Sequence, residues 1–579
     1  MNSSHGAPNG LLTALFRSGS GGCSDSRECY RIVLRDLAAR EFNAFLWFFL
    51  IAITAFLANK VVKLLRLWAK ADCIPGPPCP SFHGHSKLIS KENLTDFLSN
   101  SHEKYGSVVK LWLGPTQLLV SIKDPYIIRE MLLKAADKLP MTGRAFHLAF
   151  GPSSLFASSF HKVQKRREIL RSELNERLLG RENVICSAAV DCIMERIDRS
   201  MAKGSVDCRM VSQHMAFTIL GATLFGNEFF TWSKANVYEE LLMMIAKDAC
   251  FWASYNVIPF WKRGFWKYQC LCTKLKCLTQ DIIHQCKRNY KLSHCVHYKH
   301  SDETAYVETG ATYGVASCAI LGMPDKFIFQ ELKSHLHLRE EERCGNIMGM
   351  MFHGCLTTAG LINNILVRLV THREIQNKIY SEITVTQKDS MKQVEQNVDK
   401  MPLLLATVYE SARLLPAGPL LQRCSLDHDL NLKSGITIPA GAVVVVPVQL
   451  VQMDDSNWGS DASEFNPYRF LSKSGMKSHI TLNTSFSGAA EELVDPVDSS
   501  FVLNDPNENA AFLPFGSGMR ACVGQKFVIQ GVATLFASLL EQYEIKLRPE
   551  AQNNQKPMKN NSVFQLLSGS EIVFVRRNC

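Results

Sequence analysis

Phe512-Leu513-Pro514-Phe515-Gly516-Ser517-Gly518-Met519-Arg520-Ala521-Cys522-Val523-Gly524 is the stretch on which the reading of this chain turns. Gly516 and Gly518 permit a tight turn with positive φ, a region that a Cβ disfavours. Arg520 sets a cation just before Cys522, and Cys522 opens an apolar helical run, Val523–Leu540. A thiol at a helix N-terminus faces amide N–H groups and the positive end of the dipole, which stabilise it as thiolate. A glycine turn with a structural cysteine accounts for the helix. It does not account for the joint presence of Phe515, Gly516, Gly518, Arg520, Cys522 and Gly524.

Working outward, Glu410-Ser411-Ala412-Arg413 places an acid and a base on one helical face, where they can pair. Phe465-Asn466-Pro467-Tyr468-Arg469-Phe470 adds a second arginine between these two stretches. Farther upstream, Ile347–Val370 is an apolar helical pattern containing Phe352-His353-Gly354-Cys355-Leu356-Thr357-Thr358. A threonine hydroxyl inside a helix can bond the carbonyl four residues back and open a kink. Phe160-His161-Lys162-Val163-Gln164-Lys165-Arg166-Arg167 is strongly basic. Val108–Leu113 and Gln117–Ile122, separated by Gly114-Pro115-Thr116, read as a β-hairpin, and Ile436–Val448 as strand with a turn at Pro439-Ala440-Gly441.

Taken together these stretches resemble the cytochrome P450 superfamily, whose signature Phe-x-x-Gly-x-Arg-x-Cys-x-Gly is met at every fixed position from Phe515 to Gly524. The resemblance runs from about Ile74 to Val575. It implies a mostly α fold with a smaller β region, and a haem b whose iron takes Cys522 as axial ligand. A thiolate there pushes electron density onto iron and favours O–O cleavage. Phe515, Gly516, Gly518, Arg520 and Gly524 would shape the cofactor's seat. Glu410, Arg413 and Arg469 match the family's structural triad. Arg423, Arg520 and Arg166, with Lys165 as runner-up to Arg166, are the expected partners of the haem carboxylates. Gly354 and Thr357 match the oxygen-handling turn. Two departures stand out there: Leu356 replaces the usual acid and His353 replaces a small residue. A histidine titrates near neutrality and can move protons, though a lone helical histidine is more often structural. The tryptophan expected near Phe160 is missing.

The resemblance further implies a monooxygenase that inserts one atom of O2 into an apolar small molecule. Electrons would come from NADPH through a membrane-bound NADPH–cytochrome P450 reductase. An isomerase or dehydratase acting on a peroxide is the first alternative, favoured by Leu356, and a haem-binding sensor without turnover is the second. The pocket walls implied are Phe146–Phe156, Met350–Thr357, Ala417–Leu421 and Gln565–Leu567, all largely apolar.

The chain of 579 residues is 46% hydrophobic and 20% charged, enough apolar material for a large core. Its net charge of +10 is spread out, which suits an anionic membrane or acidic protein partner. No nucleic-acid recognition motif accompanies it. The 19 cysteines have no framework spacing and read as reduced thiols. Those in the Cys/His-rich stretch 270–300 lack the paired spacing of zinc sites. The organisation expected is an extension at 1–41, a transmembrane anchor at 42–66, a linker and proline-rich hinge at 67–80, and a catalytic domain at 81–579. Surface insertions fall near 290–335 and 472–509. Lys60, Lys63, Arg66 and Lys70 follow the apolar run and place the catalytic domain in the cytosol, on a single-pass endoplasmic reticulum protein. Asn93, Asn483 and Asn560 lie in sequons that this topology leaves unmodified, whereas Asn2 would face the lumen.

Overall fold

The computed structural model describes residues 26–577 except 80–83, 86–93, 138–154, 157–159, 162, 173, 175–181, 202–203, 254–260, 301–339, 391–397, 417, 419, 426–427, 474–500 and 549–570. Two compact units emerge, Met1–Lys70 and Ala71–Cys579. Helix α1, Ser26–Ala71, makes up what is described of the first. No glycine or proline interrupts it, so the backbone stays helical on both sides of the expected anchor. The helix covers residues 26–41 of the expected extension, the whole expected anchor, and residues 67–71 of the expected linker. Within Val33–Ala71 an 18-residue window has mean hydropathy 2.0, and its side chains are exposed. It is long and apolar enough to cross a hydrocarbon core of about 30 Å.

The proline-rich stretch is tied down at its start. Ile74 is buried, and the Pro75 carbonyl accepts the Lys110 N–H at 2.8 Å. A Cβ on Gly76 would lie 2.4 Å from the Lys110 carbonyl oxygen. Pro80 lies outside the described residues, as do residues 301–335 and 474–500 of the two expected insertions. Residues 290–300 are helical in backbone.

In the second unit α2, Leu94–Tyr105, leads into strands β1, Val108–Trp112, and β2, Leu118–Ile122. The expected hairpin is present, with Val108 opposite Ile122 and Trp112 opposite Leu118. Helix α3, Pro125–Lys134, starts on Asp124, whose carboxylate accepts the Tyr126 and Ile127 N–H groups at 2.9 Å each; such caps satisfy otherwise orphaned donors. Then come α4, Gln164–Ser172, α5, Glu182–Met201, β3, Val206–Asp207, and α6, Cys208–Phe225. They are followed by α7, Ala235–Ala253, α8, Arg263–His300, α9, Glu340–Thr371, α10, Arg373–Ser390, and α11, Pro402–Leu414. Strands β4, Leu420–Arg423, β5, Leu430–Asn431, β6, Thr437–Ile438, and β7, Val443–Pro447, precede β8, Leu471–Lys473, and β9, Phe501–Leu503. Helix α12, Gln525–Gln542, and strands β10, Tyr543–Leu547, and β11, Glu571–Arg576, complete the unit.

The largest sheet has the order β1-β2-β7-β4, with β2 and β7 parallel and the other pairs antiparallel. Helix α9 is apolar on most faces and runs through the interior. It would pass as a membrane span by length and composition, but most of it is buried. A helix hydrophobic all round belongs in a core. It packs on α6 and α11, and the core there joins Ile219, Ile362, Leu366, Leu404, Val408, Phe536 and Leu540.

One ion network holds the α11 region together. Glu410 meets Arg413 through Oε2–Nε at 2.7 Å and Oε1–Nη2 at 2.8 Å, both side chains fully buried. Arg469 Nε reaches Glu410 Oε1 at 3.1 Å and Nη2 reaches Asp461 Oδ2 at 3.0 Å. Arg413 Nη1 also donates to the carbonyls of Gln452 at 2.5 Å and Ala462 at 2.7 Å. Every charge has a partner, so removing one would strand another in the core, at a cost of about 3–5 kcal/mol.

Glu382 on α10 caps α11, accepting the Leu403 N–H at 2.9 Å and the Leu404 N–H at 3.0 Å. Burial pushes its carboxyl up from the ordinary 4.5 to about 7, against the pull of those two donors. Between these values the folded chain keeps a proton that the unfolded chain releases. The stability it contributes is therefore full below the unfolded value and is lost as pH rises to about 7. Glu382→Gln cannot ionise, so its unfolding profile should lack this slope. From about pH 5 to pH 7 the wild type should lose on the order of 1–3 kcal/mol relative to the variant, a tenfold change in proton affinity being worth about 1.4 kcal/mol. Parallel chemical-denaturation profiles would contradict this.

Candidate functional site

The turn before α12 is built by two glycines in the left-handed region, Gly516 at φ 69° and Gly518 at φ 68°. Gly518 is also a contact point, since a Cβ there would lie 2.3 Å from the Leu132 carbonyl oxygen of α3. Gly524 differs, with φ at −101° where it caps α12. The Cys522 N–H donates to the Phe515 carbonyl at 2.9 Å, closing the loop. Phe515 stands beside Phe512, with ring centroids 6.5 Å apart.

Cys522 lies ahead of α12 rather than at its first residue, because the helix begins at Gln525. Its side chain is accessible, yet desolvation is the largest influence on its thiol, which is pushed up. An accessible side chain that protein nonetheless desolvates is what the wall of an enclosed space presents. Burial by the surrounding protein opposes the thiolate-stabilising pull expected of a cysteine just ahead of a helix. The Gly524 amide, Arg167 and Arg171 pull its thiol down, but burial outweighs them.

Three arginines converge near this loop. Arg520 Nε donates to the Ala136 carbonyl at 2.7 Å. Arg423 Nη1 donates to the Gln422 carbonyl at 2.8 Å. Arg167 Nη2 donates to the Ala521 carbonyl, next to Cys522, at 2.8 Å. Burial depresses all three: Arg423 to about 10, where Arg520 and Arg167 also repel it, Arg520 to about 10, where Arg167 repels it, and Arg167 itself, which Arg171 repels. The buried Nε atoms of Arg167 and Arg423 have no hydrogen-bond acceptor. Converging cations with unused donors form a receptor for carboxylates. Two haem propionates fit it.

The expected Arg166 is not part of this cluster. Its Nη2 pairs with Glu342 Oε2 of α9 at 3.4 Å, and Lys165 is exposed. Helical phase is the reason: with Val163 fully buried, the residue one turn on, Arg167, turns inward with it. The signal was the i, i+4 spacing from the apolar Val163, not the nearest basic residue.

On α9, Thr357 is exposed between buried Cys355 and Thr358. Its Oγ1 donates to the His353 carbonyl at 2.8 Å, as expected for a kinking threonine. A Cβ on Gly354 would lie 2.9 Å from Leu220 Cδ1, so its smallness serves the approach of α6. The His353 ring lies against Phe156 at 4.4 Å and edge-on to Phe352 at 5.4 Å. Leu356 packs at the margin of the apolar cluster that includes Phe217 and Met351. Of the expected pocket walls, 146–154, Ala417, Pro419 and 565–567 lie outside the described residues.

A family model for cytochrome P450 matches residues 74–572. Cytochrome P450 72A397 of Kalopanax septemlobus is 25% identical over 471 residues, 78% of each chain. Cytochrome P450 3A6 of Oryctolagus cuniculus is 23% identical over 486 residues, covering 83% of this chain and 87% of its own. The match to cytochrome P450 71A20 of Arabidopsis thaliana, 29% over 209 residues, covers 36% of each chain. With its glycine-built cysteine loop, its three-arginine receptor and a family match over nearly all of the second unit, this chain belongs to the cytochrome P450 family of haem-iron monooxygenases.

Proposed function

We propose that this chain oxygenates an apolar small molecule at a haem held by Cys522, using electrons drawn from NADPH through a membrane-bound reductase. The observation that carries this is the accessible, desolvated Cys522 beside a receptor for two carboxylates. When bound, haem supplies the O2 chemistry, and a thiolate ligand favours O–O cleavage. The protein's part is binding, orientation and proton supply. Arg167, Arg423 and Arg520 would neutralise and orient the propionates, Gly516 and Gly518 would let the loop come close, and Cys522 would hold the iron.

Proton supply is the unusual part. The Thr357 hydroxyl hydrogen is engaged by the His353 carbonyl, so Oγ1 faces the open side as an acceptor. Passing a proton outward requires that bond to break and the hydroxyl to be recharged. Leu356 cannot recharge it. General acid–base assistance is typically worth about 10²–10⁴ in rate, so proton delivery rests on water or on His353. Turnover with reductase should be poorly coupled, with much NADPH spent on peroxide. Thr357→Ala should lower coupling further, and His353→Ala should do so only if the ring takes part.

The decisive assay uses reductase, NADPH and labelled O2 with a panel of apolar compounds. Substrate-dependent NADPH consumption with one labelled oxygen in the product is the expected result. Conversion of organic hydroperoxides without NADPH would favour the isomerase alternative instead, and no turnover of either kind would leave a sensor.

The apolar stretch of α1 and the basic residues Lys60, Lys63, Arg66 and Lys70 in its C-terminal part support a single-pass endoplasmic reticulum protein with its catalytic domain in the cytosol. Asn93 and Asn483 should then carry no glycan when the chain is made in eukaryotic cells; a glycan on either reverses the orientation.

A further inference from the structure

We infer that Asp137 is the counter-charge of the arginine receptor, a positioning residue that sets the net charge presented to the haem carboxylates. This rests on the haem reading above and goes beyond it. Asp137 follows α3 and bonds residues next to two of the arginines, while its neighbour Ala136 receives the third. Its N–H donates to the Cys424 carbonyl at 3.3 Å and its own carbonyl accepts the Cys424 N–H at 3.0 Å, a bridge to the end of β4 beside Arg423. Its carboxylate Oδ1 accepts the Phe160 N–H at 3.1 Å, just ahead of the helix that carries Arg167. Arg520 donates to the neighbouring Ala136 carbonyl at 2.7 Å, and its guanidinium lies over the Phe160 ring at 5.3 Å.

The electrostatics agree with this placement. Arg167 and burial push the Arg520 guanidinium down, and Asp137 is the carboxylate that holds it up. Burial first, and then the same carboxylate, push the Cys424 thiol up, while Arg520 and Arg423 pull it down. Glu342, the acid on α9 nearest this basic helix in pairing terms, is taken by Arg166 instead. Three guanidinium charges and one carboxylate leave two positive charges, matching two propionates. Without Asp137 the receptor would carry an unmatched positive charge, which would make the haem iron easier to reduce. A unit charge acts over such distances in a partly buried site.

Asp137→Asn removes the charge while keeping an oxygen for the Phe160 N–H, so it separates charge from structure. The reduction midpoint of the purified haem-loaded chain, measured by spectroelectrochemistry, should rise. The expected size is on the order of a threefold to tenfold gain in the ratio of reduced to oxidised enzyme at fixed poise, tenfold being about 59 mV. Asp137→Glu should stay near wild type, and so should Glu342→Gln, a neutralisation outside the receptor. Should Asp137→Asn not accumulate, Asp137→Ser carries the same expectation. Loss of haem from both neutral variants but not from Asp137→Glu also supports the role. An unshifted midpoint in a neutral variant overturns it, as does haem loss from Asp137→Glu alongside the neutral ones. A wild-type chain that takes up no haem fails the haem reading, whereas normal haem with an unshifted midpoint fails only this inference.

Discussion

Like charges brought together out of water repel one another, and the second unit of this protein brings three together. Arg167 comes from α4, Arg423 from β4 and Arg520 from the loop before α12, so no local segment forces the encounter. Helix, sheet and loop all converge there, and the cost shows in the depressed guanidinium groups and in donor atoms without acceptors. Such an arrangement persists only where a matching anion completes it or the surrounding structure over-determines it. Both hold here. On the function proposed above, the two propionates of a haem would supply the anion, and the fold supplies the constraint.

The constraint is built from contacts that leave little freedom. Gly518 backs onto the Leu132 carbonyl of α3, so the cysteine loop cannot move without displacing that helix. Arg413 ties α11 to the carbonyls of Gln452 and Ala462, while Glu410 draws in Arg469 from the segment leading to β8. The resulting scaffold places Phe512 among Tyr409, Trp458 and Phe470, just ahead of the loop that carries Cys522. Rigid second-layer support of this kind is what keeps a cofactor site accurately placed. Proton handling on α9 lacks a corresponding acid, because Leu356 sits against an apolar cluster where a carboxylate would be costly.

Much of this was legible in the residues, for physical reasons that differ by element. The cysteine loop reads clearly because positive φ, a close backbone approach and a cation each demand a particular residue at a particular offset. The hairpin at Val108–Ile122 reads clearly because strand alternation and a Gly-Pro turn are local signals. Arg167 did not, because two adjacent arginines differ only in helical phase, and phase is set by the burial of Val163. The full extent of α1 is not marked by hydropathy, which picks out only the apolar segment, while helix continuity depends on the absence of breakers. Gly354 was read as room for a ligand, yet its smallness answers to Leu220 on α6, a long-range contact that no local pattern records.

The account stands on Cys522 as the iron's ligand, and the absorption spectrum of the reduced, carbon monoxide-treated chain tests that most directly. A thiolate ligand gives a strongly red-shifted Soret band, expected in the wild type and absent from Cys522→Ala. A red-shifted band that survives in Cys522→Ala would contradict the account.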